Sequence, residues 1–100
     1  MPVETSVAGE SSSEGQISCL RRQIDGVDVR LLSLLSQRQS LSRQLGLLKK
    51  ELGLEPLQLS RQQEKLAALR LEGRRLGLDD AVVDDFYDCL HSLSLSVQQK

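Results

Sequence analysis

The chain has 100 residues, with thirteen Lys or Arg against fourteen Asp or Glu and a net charge of −1. This length allows one domain at most. Only two aromatic residues are present and no basic run occurs, which excludes the pattern of a nucleic-acid-binding surface. No apolar run approaches the ~20 residues of a membrane span, and no signal peptide is visible. We therefore expect a cytoplasmic protein that binds neither nucleic acid nor membrane.

Two segments differ in composition. Residues 1–16 are rich in Ser, Gly and Glu, and they lack the large apolar side chains that could order them. We predict that they form a disordered acidic tail and that residues 17–100 form the folded domain. Cys19 and Cys89 are too few for a disulfide framework, so we expect two reduced thiols.

The apolar residues of the domain recur at spacings of three and four, which is the period of amphipathic helices. The pattern predicts a long helix over 17–52, which Gly53 and Pro56 end. It predicts two shorter helices over 58–76 and 79–98, the former beginning with a capping box of Ser60 and Gln63. No strand pattern appears, so the expected fold class is all-α with three helices per chain.

Three cations interrupt the apolar stripe of the first helix in strict phase, namely Arg21, Arg38 and Lys49. An unpaired cation on an apolar face costs folding free energy unless an anion binds beside it. Arg38 and Lys49 face nearly the same way, ~16 Å apart along the helix axis, so a small ligand could lie between them. The alternative is that these side chains extend to water beside an apolar stripe.

Arg21 lies ~25 Å from Arg38 along the same predicted helix, too far for one straight helix to bring both into one site. If Arg21 contributes, it comes from a second copy of the chain. A helix of ~50 Å also exceeds a three-helix monomer and leaves apolar surface for a partner. Both points indicate an intertwined two-fold homodimer with composite sites.

Polar residues also stand in phase on the two shorter helices. Gln62 lies between apolar positions of the second helix, beside Arg61 and one turn after Gln58. Ser94 and Gln98 present hydrogen-bonding groups from successive turns of the third helix. The single histidine, His91, is expected at the surface or boundary of that helix, and no set of metal ligands is apparent. A solvated face is expected for Asp84, Asp85 and Asp88.

Residues 20–50, LRRQIDGVDVRLLSLLSQRQSLSRQLGLLKK, resemble the first helix of the all-helical (AroQ-class) chorismate mutases. That family has an Arg in an LR-x-x-I-D-x-x-D opening, a second Arg after L-L-x-x and a Lys further on. It also has an Arg near the start of the second helix, a G-L-D turn and a closing S-x-x-x-Q. The resemblance covers residues 20–99, and the matching positions are Arg21, Arg38, Lys49, Arg61, Gly77-Leu78-Asp79, Ser94 and Gln98.

The resemblance implies an intertwined homodimer of three-helix chains with two active sites, each completed by Arg21 of the other subunit. It implies the Claisen rearrangement of chorismate to prephenate, a step toward phenylalanine and tyrosine, with no cofactor. The protein would select the reactive conformer and stabilise charge. Lys49 and Gln98 would donate to the ether oxygen. The carboxylates would be held by Arg21, Arg38 and Arg61, with help from Ser94.

Two positions depart from the family pattern. Gln62 stands where a Glu is usual, and Gln58 stands where an Asp is common. A glutamine can still exchange a hydrogen bond with the substrate hydroxyl, but its neutrality makes the pocket more cationic.

Alternatives remain at this point. An isochorismate–pyruvate lyase shares the fold, the cations and the missing acid. A 4-amino-4-deoxychorismate mutase would require a carboxylate at residue 62, where this chain has a glutamine. A non-catalytic helical dimerisation or partner-binding module would show the same apolar stripes.

Overall fold

A computed structural model describes residues 12–55 and 58–98. Within these residues the chain forms three helices and no strand: α1 (Ser13–Leu52), α2 (Leu59–Arg75) and α3 (Asp80–Gln98). The all-α, three-helix prediction is confirmed. None of the helices in the described ranges is long and apolar enough to cross a membrane.

The first helix begins four residues before its predicted start. The Ser12 hydroxyl oxygen accepts a hydrogen bond from the Gly15 amide at 3.0 Å, which is the geometry of a serine N-cap. This cap satisfies an amide at the helix end, so residues 13–16 are helical although they were assigned to the tail. Residues 1–11 of that tail lie outside the described residues.

Two helices end in the same backbone motif. Gly53 and Gly77 have φ angles of +70° and +81°, a left-handed conformation that glycine adopts without steric cost. The Leu54 amide donates to the Lys49 carbonyl at 2.7 Å, and the Leu78 amide donates to the Gly73 carbonyl in the same way, at 2.8 Å. These are hydrogen bonds of the Schellman type. Pro56, which was expected to help end α1, lies outside the described residues.

The second helix starts without the predicted capping box. Gln58 is the N-cap residue, and its side chain makes no capping hydrogen bond. Ser60 lies inside the helix, so it cannot cap the first turn. The capping-box prediction is therefore wrong, although the helix begins where it was expected.

Helices α2 and α3 pack closely, and two ion pairs join them. The Arg70 guanidinium donates two hydrogen bonds to the Asp84 carboxylate, at 2.8 and 2.9 Å. Arg74 binds Asp80 in the same two-pronged way, at 3.0 and 2.6 Å. We expected Asp84 on a solvated helix face, but its carboxylate pairs with Arg70 of the neighbouring helix. The pairing runs in opposite directions along the two helices, so α2 and α3 are antiparallel.

The chain divides into two units, residues 1–37 and 38–100, and α1 contributes to both. In the second unit the buried apolar residues are Val83 and Tyr87, which are 6% and 4% exposed. In the first unit the described residues belong almost entirely to α1, and apolar side chains such as Ile24 remain more than half exposed. The apolar stripes read from the sequence are therefore largely uncovered in a single chain.

Candidate active site

A cleft of about 360 Å³ lies within the second unit, lined by the C-terminal part of α1, by Gln58 and the first half of α2, and by the middle and end of α3. Its volume lies in the range of roughly 300–1,000 Å³ typical of small-molecule sites. The described residues that line it are Arg38, Leu41, Ser42, Leu45, Lys49, Gln58, Arg61, Gln62, Lys65, Tyr87, His91, Ser94, Leu95 and Gln98.

Arg38 is anchored to α3 through one nitrogen of its guanidinium. This nitrogen, Nη1, donates to the Leu90 carbonyl oxygen at 3.0 Å and to the Ser94 hydroxyl oxygen at 2.5 Å. Both bonds use the same end of the planar fork, so the remaining donors are available to an anion in the cleft.

A second serine, which sequence reasoning missed, completes this network. The hydroxyl oxygens of Ser42 and Ser94 lie 3.0 Å apart, and both residues are buried. Ser42 follows Arg38 by four residues on α1, so both lie on one helix face. This spacing could have indicated that Ser42 belongs to the site, but serine is so common in this chain that the spacing alone did not single it out.

Lys49 and Gln98 meet at another part of the cleft. The Lys49 Nζ donates to the Gln98 side-chain oxygen at 3.0 Å. Because Oε1 accepts this bond, the amide nitrogen of Gln98 is left to donate elsewhere. The approach of α3 to α1 depends on Gly46, since a Cβ at residue 46 would lie 2.8 Å from the Gln98 Cα.

One face of α2 forms a polar wall of the cleft. Gln58, Arg61, Gln62 and Lys65 follow one another at spacings of three, one and three, so their side chains share that face. Sequence reasoning found the first three and missed Lys65, although its helical phase was the available signal.

Two aromatic side chains of α3 border the cleft. The rings of Tyr87 and His91 stack with centroids 5.6 Å apart and planes inclined by 19°. Burial raises the pKa of the Tyr87 hydroxyl, while the guanidinium groups of Arg38 and Arg61 oppose that rise. The two arginines therefore act electrostatically on this hydroxyl. His91 is half-buried, consistent with the boundary position expected from sequence, but it also lines the cleft.

Positive charge dominates the cleft. Four cations line it, while no Asp or Glu is found among its described lining residues. Concentrated cations of this kind favour a ligand with more than one negative group. The pairing of an ammonium with an amide at Lys49 and Gln98 suits a ligand oxygen on which negative charge develops.

Arg21 is the predicted site residue that the structure does not bring to the cleft. It lies in the first unit, on the earlier part of α1, with an exposed side chain, and it is not among the lining residues. The predicted site residues that do line the cleft are Arg38, Lys49, Gln58, Arg61, Gln62, Ser94 and Gln98.

Comparisons with known proteins agree with the resemblance. The model of the family described as chorismate mutase type II matches residues 20–99. A curated relative, the T-protein of Enterobacter agglomerans, is 36% identical over 70 residues, which cover 70% of this chain. The match spans only 19% of the relative's length. No solved structure shows a significant match to the chain.

Proposed function

This chain belongs to the chorismate mutase type II family, and on that premise we propose that it rearranges chorismate to prephenate. The reaction is unimolecular: the ether C–O bond breaks while a C–C bond forms, and no atom is gained or lost. Catalysis then requires a reactive conformer and stabilisation of the charge that develops on the ether oxygen. The described site residues include cations and amides suited to both tasks.

The observation that carries the proposal is the contact between Lys49 and Gln98 in a cleft that also holds Arg38. We assign Lys49 and the Gln98 amide nitrogen to the ether oxygen, where negative charge grows as the bond breaks. Donors placed in advance cost no reorganisation at the moment of reaction. Hydrogen bonds to α3 hold Arg38 in place, and its remaining N–H groups bind a carboxylate of the substrate.

The α2 face supplies the remaining contacts. Arg61 grips a carboxylate of the substrate, since its guanidinium has donors in the fork geometry that a carboxylate accepts. Gln58 and Gln62 meet the substrate hydroxyl, because an amide can both donate and accept.

A second copy of the chain completes the assembly. The exposed apolar residues of α1 in the first unit recur at helical spacing, and a surface of this kind is typical of an interface. A homodimer would cover these side chains and would supply Arg21 to the site of the partner. The residues concerned include Ile17, Leu20, Ile24, Val27 and Leu31.

The test is turnover of chorismate by the purified chain, followed by substrate loss and prephenate formation. Lys49→Ala is expected to lower kcat by about 10²–10³-fold, the cost of removing one donor to a developing oxyanion. Lys50→Ala is the matched control, because Lys50 is the exposed neighbour of Lys49 and does not line the cleft. Absence of turnover, or equal activity in both variants, would contradict the proposal.

One observation favours a second candidate, an isochorismate–pyruvate lyase. Gln58 and Gln62 replace acids on the α2 wall, and no carboxylate is found among the described lining residues. The lyase would convert isochorismate to salicylate and pyruvate in the same cleft. Supplying isochorismate and measuring both products separates the two activities. Faster turnover of isochorismate than of chorismate would favour the lyase.

A further inference from the structure

The cations of α2 fall into two groups, which differ in whether they form an ion pair with a carboxylate. Three near its C-terminal end, Arg70, Arg74 and Arg75, each form an ion pair with a carboxylate. The two nearer its start, Arg61 and Lys65, line the cleft. Neither makes a hydrogen bond or ion pair with any residue in the described ranges. This sorting of charge along one helix leaves two cations facing the cleft.

The two unpaired cations lie one helical turn apart. At a spacing of four residues their Cβ atoms are about 5–6 Å from each other, and like charges so placed repel. Lys65 is half-buried, so water meets only part of its side chain. An anion bound between the two would relieve both the repulsion and the lost hydration.

Local carboxylates do not fill this role. Glu64 and Asp88 are the acidic residues nearest in sequence to the cleft residues Lys65 and Tyr87, and both are exposed. Neither of them lines the cleft or forms an ion pair with Lys65. The charge of Lys65 is therefore left to solvent or to a ligand.

Lys65 lies toward one end of the cleft. The Tyr87 hydroxyl approaches the Gln62 carbonyl at 3.5 Å, and Lys65 follows Gln62 by one turn of α2. Gln98 is eleven residues beyond Tyr87 on α3, or ~16 Å along that helix. Because α2 and α3 run antiparallel, Lys65 lies nearer to Tyr87 than to Gln98.

We propose that Lys65 is a substrate-binding residue that, together with Arg61, clamps one carboxylate of a dianionic ligand. The inference rests on the proposed function and adds to it a binding residue and a ligand class. Because the ether oxygen is assigned to Lys49 and Gln98, Lys65 contributes to binding and not to the chemical step. Ligands with two carboxylates are accordingly preferred over those with one, and binding weakens as salt screens the clamp.

The experiment compares Lys65→Gln with Lys65→Arg and with Lys50→Gln. Lys50 gives the matched control, because it is an exposed lysine outside the cleft. For chorismate, Lys65→Gln is expected to raise KM about tenfold, as loss of one charged contact would, and to leave kcat within about twofold. Lys65→Arg should restore KM, and Lys50→Gln should match the parent. Raising the salt concentration should increase KM more steeply in the parent than in Lys65→Gln. Circular dichroism checks that each variant is folded.

Equal KM values in Lys65→Gln and Lys50→Gln would overturn the clamp, and so would a loss confined to kcat. If the parent does not convert chorismate, the proposed function fails, and the clamp is then judged by calorimetric titration with chorismate. Weaker binding by Lys65→Gln than by Lys50→Gln would support the clamp. Equal binding, or none by the parent, would overturn it.

Discussion

Gly46 leaves no room for a side chain beside Gln98: a Cβ added at residue 46 would lie 2.8 Å from the Gln98 Cα and 2.9 Å from its Cβ. Real Cβ atoms do not approach a neighbouring backbone so closely. Residue 46 therefore determines how near the end of α3 lies to α1, and with it the contact between Lys49 and Gln98.

We predict that Gly46→Ala displaces the end of α3 and removes the Lys49–Gln98 hydrogen bond. Overpacking of this kind costs about 1–3 kcal/mol of folding free energy. A misplacement near 1 Å can lower kcat about a hundredfold. Thermal denaturation measures the first effect, and chorismate turnover below the melting temperature measures the second.

Gly73→Ala is the matched control for this change. Its Cβ would collide with the Val83 side chain, and neither residue lines the cleft. We expect it to destabilise the fold comparably and to leave kcat within about twofold, since only packing is disturbed. Equal loss of kcat in both variants would mean that Gly46 acts through stability alone.

The proposed homodimer, with Arg21 reaching the partner's site, makes a prediction about mixed dimers. Arg21→Ala and Lys49→Ala are each expected to be nearly inactive. In a mixed dimer, one site carries both defects and the other carries neither. Random association should then regain about a quarter of the parent activity, because half of the dimers are mixed and half of their sites are intact.

The measurement is turnover of co-refolded variants at equal total concentration. Each variant refolded alone serves as the control. No gain of activity on mixing would place Arg21 outside the partner's site.

The ion pair of Arg70 with Asp84 predicts how stability depends on pH. Hydrogen bonds from Arg70 lower the pKa of the Asp84 carboxyl below its usual 3.8. A carboxyl with a lowered folded-state pKa stabilises the fold fully above its unfolded value and loses that contribution as pH falls through the folded value. Stability from this pair should therefore be present at neutral pH and fade below about pH 4.

Comparing melting temperatures of the parent and Asp84→Asn checks this expectation. The parent should be the more stable at pH 7, and the difference should shrink toward pH 3. A constant difference across this range would show that ionisation of the Asp84 carboxyl does not contribute to stability.

Tyr87 offers a spectroscopic test of ligand binding, because it is the only tyrosine and the chain has no tryptophan. Burial raises the pKa of its hydroxyl, and Arg38 and Arg61 oppose the rise. A dianion that neutralises these guanidinium groups should remove their opposition and raise the pKa further. Ultraviolet absorbance of the tyrosinate, titrated with and without chorismate, measures the shift.

Arg61→Gln is the companion variant, since it removes one of the two opposing charges. Its tyrosine pKa should exceed that of the parent without ligand, and added chorismate should move it less. A ligand-induced fall in the pKa would place the anion away from both arginines.

The helical period alone was enough to predict several features of this protein. Because side chains three and four residues apart share a helix face, the in-phase positions of Arg38 and Lys49 were enough to indicate that both side chains point in a common direction. The same reasoning paired Ser94 with Gln98. Fold class followed from periodicity and from the absence of alternating patterns, and the family match confirms the resemblance carried by residues 20–99.

Tertiary structure decided which helix faces meet. Helical periodicity does not specify the register between α1 and α3, so the contact of Lys49 with Gln98 and the placement of Gly46 against it could only be seen in the fold. Ser42 and Lys65 became recognisable as lining residues once three helices enclosed a cleft. The physical reason is that helical phase is a local property, whereas a cavity depends on packing between residues distant in the chain.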